Sequence, residues 1–506
     1  MRRAAQLCLG SSLLALVLVA WAGTSDSQTI TREVAPTVHV ALRQAPPAAT
    51  THAMDQYVGA GSCSSTACHG GPPGTNVLSP EDSHYRSSYT TWVTEDAHAR
   101  AFSVLYGARS KQIAKNLATR TRTEFREAYR DTRCLACHAP SAEVTAIEIV
   151  VADGVSCENC HGAARGWLDA HTTGPADSSA QARREYRERL YPLGLLNTVD
   201  LVSRAKVCVS CHVGSPDKAA GGGDMNHDMI AAGHPRLQFE YAANLANMPP
   251  HWNLRRERRD ARADSASAWQ IGQIATAQAA AQLLETRAAT KHLPWPEFSE
   301  YDCFTCHHGL TDTSFRQNTG AHHPLGTYAW GTWTFASLAS AEGGGLKLPT
   351  ADIDVLRKHM QQLAPDRETA QKAAAQTAAA FEGTLSAIKP GGDNHQRVRQ
   401  MLANVIAHGK KSQVANWDEA TQLYLALRAI SEADPELSQP GSTRGGQLRE
   451  KLASIRESLR FRRLTIPTSA TANENLTFDS PDQFNPEELS LKFQEVLELI
   501  ETSLRE

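Results

Sequence analysis

The sequence predicts a mainly α chain with little regular sheet. A cysteine- and histidine-rich helical domain spans residues 58–335, and a helical extension follows over residues 340–506. Three observations carry that expectation. Apolar positions recur at helical spacing, and no series of alternating strands occurs. Ten of the 11 cysteines fall into five close pairs, all before residue 310. After about residue 340 cysteine is absent and the apolar stripes become regularly amphipathic.

The N-terminus comes first in chain order. Met1-Arg2-Arg3 gives a positive start, residues 7–20 are apolar, and Ala20-Trp21-Ala22 has the small-x-small form of a cleavage site. Residues 1–22 therefore read as a secretory signal peptide, with Cys8 inside the discarded part. An uncleaved N-terminal anchor is the competing reading. Export puts the chain in the periplasm, membrane-associated if the signal is retained. Residues 23–56, rich in Pro, Ala and Thr, form a flexible leader. With 51 Lys+Arg against 54 Asp+Glu, the net charge is −3 and reads as scattered rather than blocked. A nucleic-acid partner calls for a basic stripe and is excluded on that reading. A single long apolar run and a mean hydropathy of −0.39 exclude a multi-span membrane protein.

Each cysteine pair is followed at once by histidine. Cys63/Cys68 precede His69, Cys134/Cys137 His138, Cys157/Cys160 His161, Cys208/Cys211 His212 and Cys303/Cys306 His307. With 20 His in 506 positions, chance would produce five such coincidences about once in ten million. Two thiols three positions apart on a helical turn face one edge of a porphyrin and form thioethers to its vinyl groups. The next residue lies under the ring, where its imidazole binds iron. The pattern predicts five covalently attached haem c groups, with ten attachment cysteines and five proximal histidines. The first motif has four residues between its thiols instead of two, which requires a bulged loop.

Other uses of the thiols compete. In an oxidising compartment ten cysteines read as five disulfides. Cys134/Cys137 and Cys157/Cys160, separated by 19 residues, suit a four-cysteine zinc ribbon. Neither explains a histidine after every pair.

Bis-His coordination needs five further axial ligands. Local context nominates His98, in a helical pattern running on to Leu105, and His171, shortly after Trp167. It also nominates His227 and His234, in the segment 226–236, and His251, after Pro249-Pro250. For each, an ordinary solvent or core histidine is the alternative. His84, His308, His322 and His323 stay undecided, and Met225, Met229 and Met248 offer a scarcer thioether route. His39, His52, His359, His395 and His408 lie far from the motifs and read as ordinary.

Further along, residues 264–289 place Ile271, Ile274, Ala277, Ala281 and Leu284 at the spacing of a core helix. Asn416-Trp417-Asp418-Glu419 has the form of a capping box before Leu423, Leu427 and Ile430. Asn485-Pro486 supplies a cap and a first-turn proline before Leu489, Phe493, Val496, Ile500 and Leu504. These stripes read as core, packed on the cysteine-rich domain or serving as a partner platform, with residues 465–482 as a polar linker. Without cysteine, the extension is expected to be dispensable for haem attachment.

The stretch Tyr89-Thr-Thr-Trp92 through His98-Ala99, then Cys134-Leu-Ala-Cys137-His138 and Gly154-Val-Ser-Cys157-Glu-Asn-Cys160-His161-Gly162, resembles the multihaem cytochromes of the cytochrome c-554/c-552 type. That group shares haem-packing motifs with hydroxylamine oxidoreductase. The resemblance covers about residues 58–335, is best over 58–165, and extends to similar stretches at 208–214, 231–237 and 295–308. It implies a mainly helical periplasmic electron carrier with closely stacked haems. It also implies His98 and His171 as distal ligands ahead of His227, His234 and His251. The fifth motif and the four-residue first spacer depart from the tetrahaem pattern, so haem order does not carry over.

Two functions are open at this point. One is a cytochrome passing single electrons through about five stacked, mostly bis-His haems. The other is a multihaem oxidoreductase whose one open iron acts on a small nitrogen or sulfur compound. No motif ends in lysine, the residue common at nitrite-reductase-type sites, and no tyrosine stands out as a haem cross-link, so no catalytic residue is named. The carrier is favoured. Its partners would be redox proteins, either other cytochromes or a membrane quinone-linked complex. A third reading makes the chain a scaffold in a larger redox complex.

Overall fold

A computed structural model describes residues 56–72, 86–140, 151–174, 179–216, 223–252, 264–307, 327–343, 345–388, 394–411, 414, 416–460 and 485–505. The expected signal peptide, nearly all of the leader, the 465–482 linker, and His39, His52, His84, His308, His322 and His323 lie outside the described residues.

The chain is mainly α. Short helices make up the first half: α1 Ser88–Glu95, α2 Ala108–Thr121, α3 Thr132–His138, α4 Cys157–His161, α5 Leu168–Thr172, α6 Ala180–Leu190, α7 Leu201–His212, α8 His227–Ala231 and α9 Tyr241–Asn247. Longer ones follow: α10 Ser265–Ala289, α11 Thr350–Met360, α12 Arg367–Ala387, α13 His395–Lys411 and α14 Trp417–Ala433. The single turn α15 Pro435–Ser438 leads into α16 Thr443–Leu459 and α17 Pro486–Arg505. Among the described residues sheet is reduced to two isolated bridges, Tyr301 with Trp330 and Gly343 with Leu346. None of the described helices is long and apolar enough to cross a membrane.

Polar caps start several of the short helices that carry motif cysteines or candidate histidine ligands. Asp131 accepts from Arg133 N at the start of α3, and Asp200 accepts from Ser203 N at 2.7 Å at the start of α7. Asn226 accepts from Met229 N at 3.0 Å to begin α8. A cap of this kind stabilises a helix by about 1 kcal/mol.

α10 is the central element. Its sequence is rich in alanine and has no charged face, so it is buried nearly all round, with Trp269, Ile274 and Leu284 fully enclosed. It packs against α7, α9, α12 and α14. Gly272 is required where α9 crosses it, because a Cβ there would lie 2.4 Å from the Tyr241 Cβ. Tyr241 in turn donates its hydroxyl to Leu201 O at 3.2 Å, joining α7 to the same block. Two of its buried glutamines are met by the C-terminal helices: Gln273 donates to Gln422 at 3.1 Å, and Gln278 donates to Glu382.

One hydrophobic cluster consequently runs from Leu201 to Ile500 and draws residues from both sides of position 340. The helical extension is packed on α10. Its caps form as its sequence implies, with Asn416 accepting from Glu419 N at 2.9 Å and Asn485 from Glu488 N at 3.2 Å. Outside that cluster the described apolar clusters are small. Phe102, Leu105, Ala114, Ala128, Cys134, Leu135, Ala139 and Val151 form one, and Leu117, Met229 and Ala232 another. Among the described residues, the region bearing the first three motifs shows little side-chain core of its own.

Candidate functional site

Three of the five motifs sit on α-helices, as the two-residue spacing implies. Cys134, Cys137 and His138 end α3, Cys157 to His161 form α4, and Cys208, Cys211 and His212 close α7. α4 opens with a reciprocal capping box between Ser156 and Asn159. It stops at Gly162, whose φ of +87° suits glycine and whose Cβ would collide with Gly194 O at 2.2 Å. The first motif departs from this geometry. A 3-10 turn, Ala60–Cys63, carries Cys63, and a separate turn over 65–70 closes with Cys68 N and Gly70 N both donating to Ser65 O at 2.9 Å. The extra residues are taken up by that bulge.

The fifth motif corrects the expectation of two thiols on one helical turn. Cys303–Thr305 is a single 3-10 turn, and Cys306 falls just past its end. Cys306 N at 3.2 Å and His307 N at 2.8 Å both donate to Cys303 O, so the turn closes on one carbonyl instead of extending into an α-helix. Cys306 consequently leaves the turn with its side chain exposed, and none of the described apolar clusters contains it. Cys68 is exposed in the same way, whereas the other eight motif cysteines are buried or half-buried.

Two buried or half-buried carboxylates hold the first motif against the third. Glu158, between the thiols of α4, accepts from Val58 N (3.0 Å), Gly59 N (2.8 Å) and Ala164 N (2.7 Å). Asp153 accepts from Ala60 N at 2.7 Å. The Cys63 and Cys157 thiols meet across this junction, and the Cys137 and Cys211 thiols meet in the same way between the second and fourth motifs. Cys160 lies within electrostatic reach of Cys208 and Cys211.

Every motif histidine is faced by another imidazole. His69 lies opposite His171 with ring centroids 6.1 Å apart, and His98 opposite His212 at 6.0 Å. His138 faces His234 at 6.3 Å, His161 faces His251 at 6.4 Å, and His227 faces His307 at 6.4 Å. Interplanar angles divide the pairs: 14° and 25° for His69/His171 and His227/His307, and 80–84° for the other three.

The rings are oriented through Nδ1. His98 Nδ1 meets Asp96 Oδ1 at 2.8 Å, His138 Nδ1 meets Ala101 O at 2.7 Å, and His234 Nδ1 meets Pro235 O at 2.8 Å. His161 Nδ1 lies 3.3 Å from Thr198 Oγ1, and His251 Nδ1 3.4 Å from Pro249 O. A donor role for Nδ1 leaves the Nε2 lone pair free for a metal. Burial holds His161 and His212 down at about 4 and lowers His171, His234 and His251 as well. Neutral rings are the form that ligates. His98 is shifted the other way, raised by its hydrogen bond to Asp96.

Residues 79–162 match the family described as cytochrome c554 and c-prime. That stretch is of the cytochrome c-554 type. Cytochrome c chemistry, with haem held covalently and used for electron transfer, follows for this module. The matched stretch contains His98 and the second and third motifs. No curated protein and no solved structure matches the chain.

The residues present fit haem c. Two metal–nitrogen bonds of about 2 Å, plus about 1.1 Å from each ligating nitrogen to its ring centre, put two axial imidazoles about 6.2 Å apart. The five observed spans, 6.0 to 6.4 Å, bracket that value. Zinc fits less well. Among the described residues no group of three or more His, Cys, Asp or Glu could hold a metal ion, so the four cysteines of the ribbon reading are not assembled into one site.

Three side chains at this site were not legible in the sequence: Glu158, Asp153 and Asp96. Glu158 occupies a free position of its motif, and two of its three backbone partners, Val58 N and Gly59 N, lie about 100 residues away. Only the spacing of Asp96 before His98 offered a signal, as an acidic residue two positions from a candidate ligand.

Proposed function

We propose that the chain is an exported pentahaem c-type cytochrome that relays single electrons, with each haem held by two cysteines and two histidines. The supporting observation is the opposition of every motif histidine to a second one. His69, His138, His161, His212 and His307 would be the proximal ligands, and His171, His234, His251, His98 and His227, in that order, their distal partners. When bound, haem c supplies a one-electron ferric/ferrous couple.

The chain's own residues do the tuning. Carbonyl and carboxylate acceptors at Nδ1 fix the rings of His98, His138, His234 and His251 and raise their basicity, most strongly for His98 beside Asp96. A more basic ligand favours ferric iron, so the His98/His212 site would sit at the low end of the potentials. Junctions between motifs suggest the order of the relay. The Cys63–Cys157 contact links the first motif to the third, Cys160 with Cys208 and Cys211 links the third to the fourth, and Cys211–Cys137 links the fourth to the second. His234 and His227, on one short segment, then link the second to the fifth.

A carrier is favoured over an oxidoreductase because catalysis on a small substrate needs an open iron position, and a second imidazole at every site leaves none. Carbon monoxide tests this. The reduced protein is expected to show no change in its Soret band under the gas. His251→Ala should retain all its haems yet gain one that binds the gas. Binding by the unaltered protein would move the assignment to the oxidoreductase.

A further inference from the structure

The charge of the chain is not evenly scattered, contrary to what its total suggests. From Arg100 to Arg133 there are nine basic residues and three acidic ones, a net +6 in a chain totalling −3, which leaves −9 for everything else. Two of those acids are engaged locally: Asp131 is buried against Arg133 at 2.5 Å, and Glu127 meets Lys111 at 3.3 Å. Most of the basic residues, including Arg100, Lys115, Arg122, Arg126 and Arg130, are exposed.

The same segment exposes an apolar strip. Tyr106 is 62% exposed, Val104 49% and Phe125 40%. Tyr106 stacks on Tyr129 at 4.5 Å, Arg130 lies over the Tyr129 ring, and Phe102 meets Tyr106 edge-on at 5.6 Å. Phe102 belongs to the small cluster that also contains Cys134 and Leu135, and Ala101 O holds His138 Nδ1. The surface therefore lies directly over the second motif. Aromatic side chains ringed by arginine are the usual composition of a protein-docking patch.

We propose that the surface formed by residues 100–133 docks an acidic redox protein, and that electrons cross it at the second-motif haem. This rests on the electron-transfer reading above and names the partner's chemistry. A protein is favoured over an anionic membrane because α2, the one long helix here, spends its apolar residues Ala114, Leu117 and Ala118 in the interior, so it has no face to insert. A positive face steers an acidic partner and raises its association rate at low salt.

The test uses the full-length, haem-loaded protein, with a reduced, strongly acidic [2Fe–2S] ferredoxin as the probe. Stopped-flow absorbance follows haem reduction at rising ionic strength. The second-order rate constant should fall by about tenfold or more between low and high salt. Arg122→Glu, Arg126→Glu and Arg130→Glu together should remove most of that dependence, and the glutamine triple variant should remove part of it. Arg456→Glu with Arg460→Glu, exposed on the C-terminal helices, should leave the rate unchanged. Wild-type rate and salt slope in both triple variants would overturn the proposal. So would capture by phosphatidylglycerol vesicles through these arginines with the ferredoxin rate unaffected by their loss. If the purified chain carried no haem, the electron-transfer reading would fail separately. Anisotropy of labelled ferredoxin would then judge the docking by itself, with salt-sensitive binding supporting it and no binding overturning it.

Discussion

Glu158 illustrates how much of the site is carried by residues that touch no haem. Its carboxylate accepts three backbone N–H groups, two of them from the stretch of chain that leads into the first motif. Truncating it would leave buried donors unmet, at a cost of about 1–3 kcal/mol per group. Glu158→Ala should therefore yield protein lacking the first haem while keeping the others, measured as one haem fewer by mass. A full complement would contradict the role given to it. A second carboxylate sets a pH dependence. Burial pushes Glu240 up to about 7, against the opposing pull of Ala242 N and Ala243 N, which it caps. The unfolded chain releases this proton near 4.5, so between 4.5 and about 7 the folded state holds more protons. Stability is then lost as pH rises through that window, by up to about 3 kcal/mol. Glu240→Gln should remove this loss: its urea midpoint should gain on wild type between pH 5 and pH 8, and parallel profiles would refute the assignment.

At the scale of elements, the parts that could be read from the sequence are those whose chemistry is local. The five motifs were legible because thioether attachment fixes the spacing of two thiols and a histidine. The helical turn under each was less so: at Cys303–Cys306 the spacing is regular, yet the turn ends one residue early and leaves Cys306 exposed. The caps at Asn416 and Asn485 were legible because a helix start needs its acceptor within three residues. Pairing was not. That His98 faces His212, 114 positions away, depends on how α7 lies against the turn after α1, and no local pattern encodes it. The extension shows the same limit. Its lack of cysteine bears only on haem attachment, whereas its place in the core depends on α10, which is buried nearly all round and covered by α12 and α14. A chain ending at 340 would leave Trp269 and Ile274 without their cover. It is expected to be insoluble, or to lose its cooperative thermal transition in circular dichroism, and a soluble truncated protein with a wild-type melting profile would contradict the shared core.

Across the whole molecule, the two halves obtain their interiors differently. The C-terminal half buries aliphatic and aromatic side chains around α10, whereas the described residues before Leu201 offer one small cluster and a share of a second, and the five facing pairs of imidazoles are drawn largely from the N-terminal half of the chain. Haem would complete that interior, which would account for a folded region whose described side chains form so small an apolar core. Net charge hid a second whole-molecule feature, because the basic segment 100–133 is cancelled in the total by acids elsewhere. The central claim is that five haems are each closed by two histidines. Its most direct test is haem stoichiometry with spin state, by mass, pyridine haemochrome and low-temperature EPR on the purified protein. The account predicts five covalent haems, all low-spin, with strongly anisotropic signals from the three perpendicular pairs and rhombic signals from the two near-parallel ones. Fewer than five haems, or a high-spin ferric signal in the unaltered protein, would contradict it.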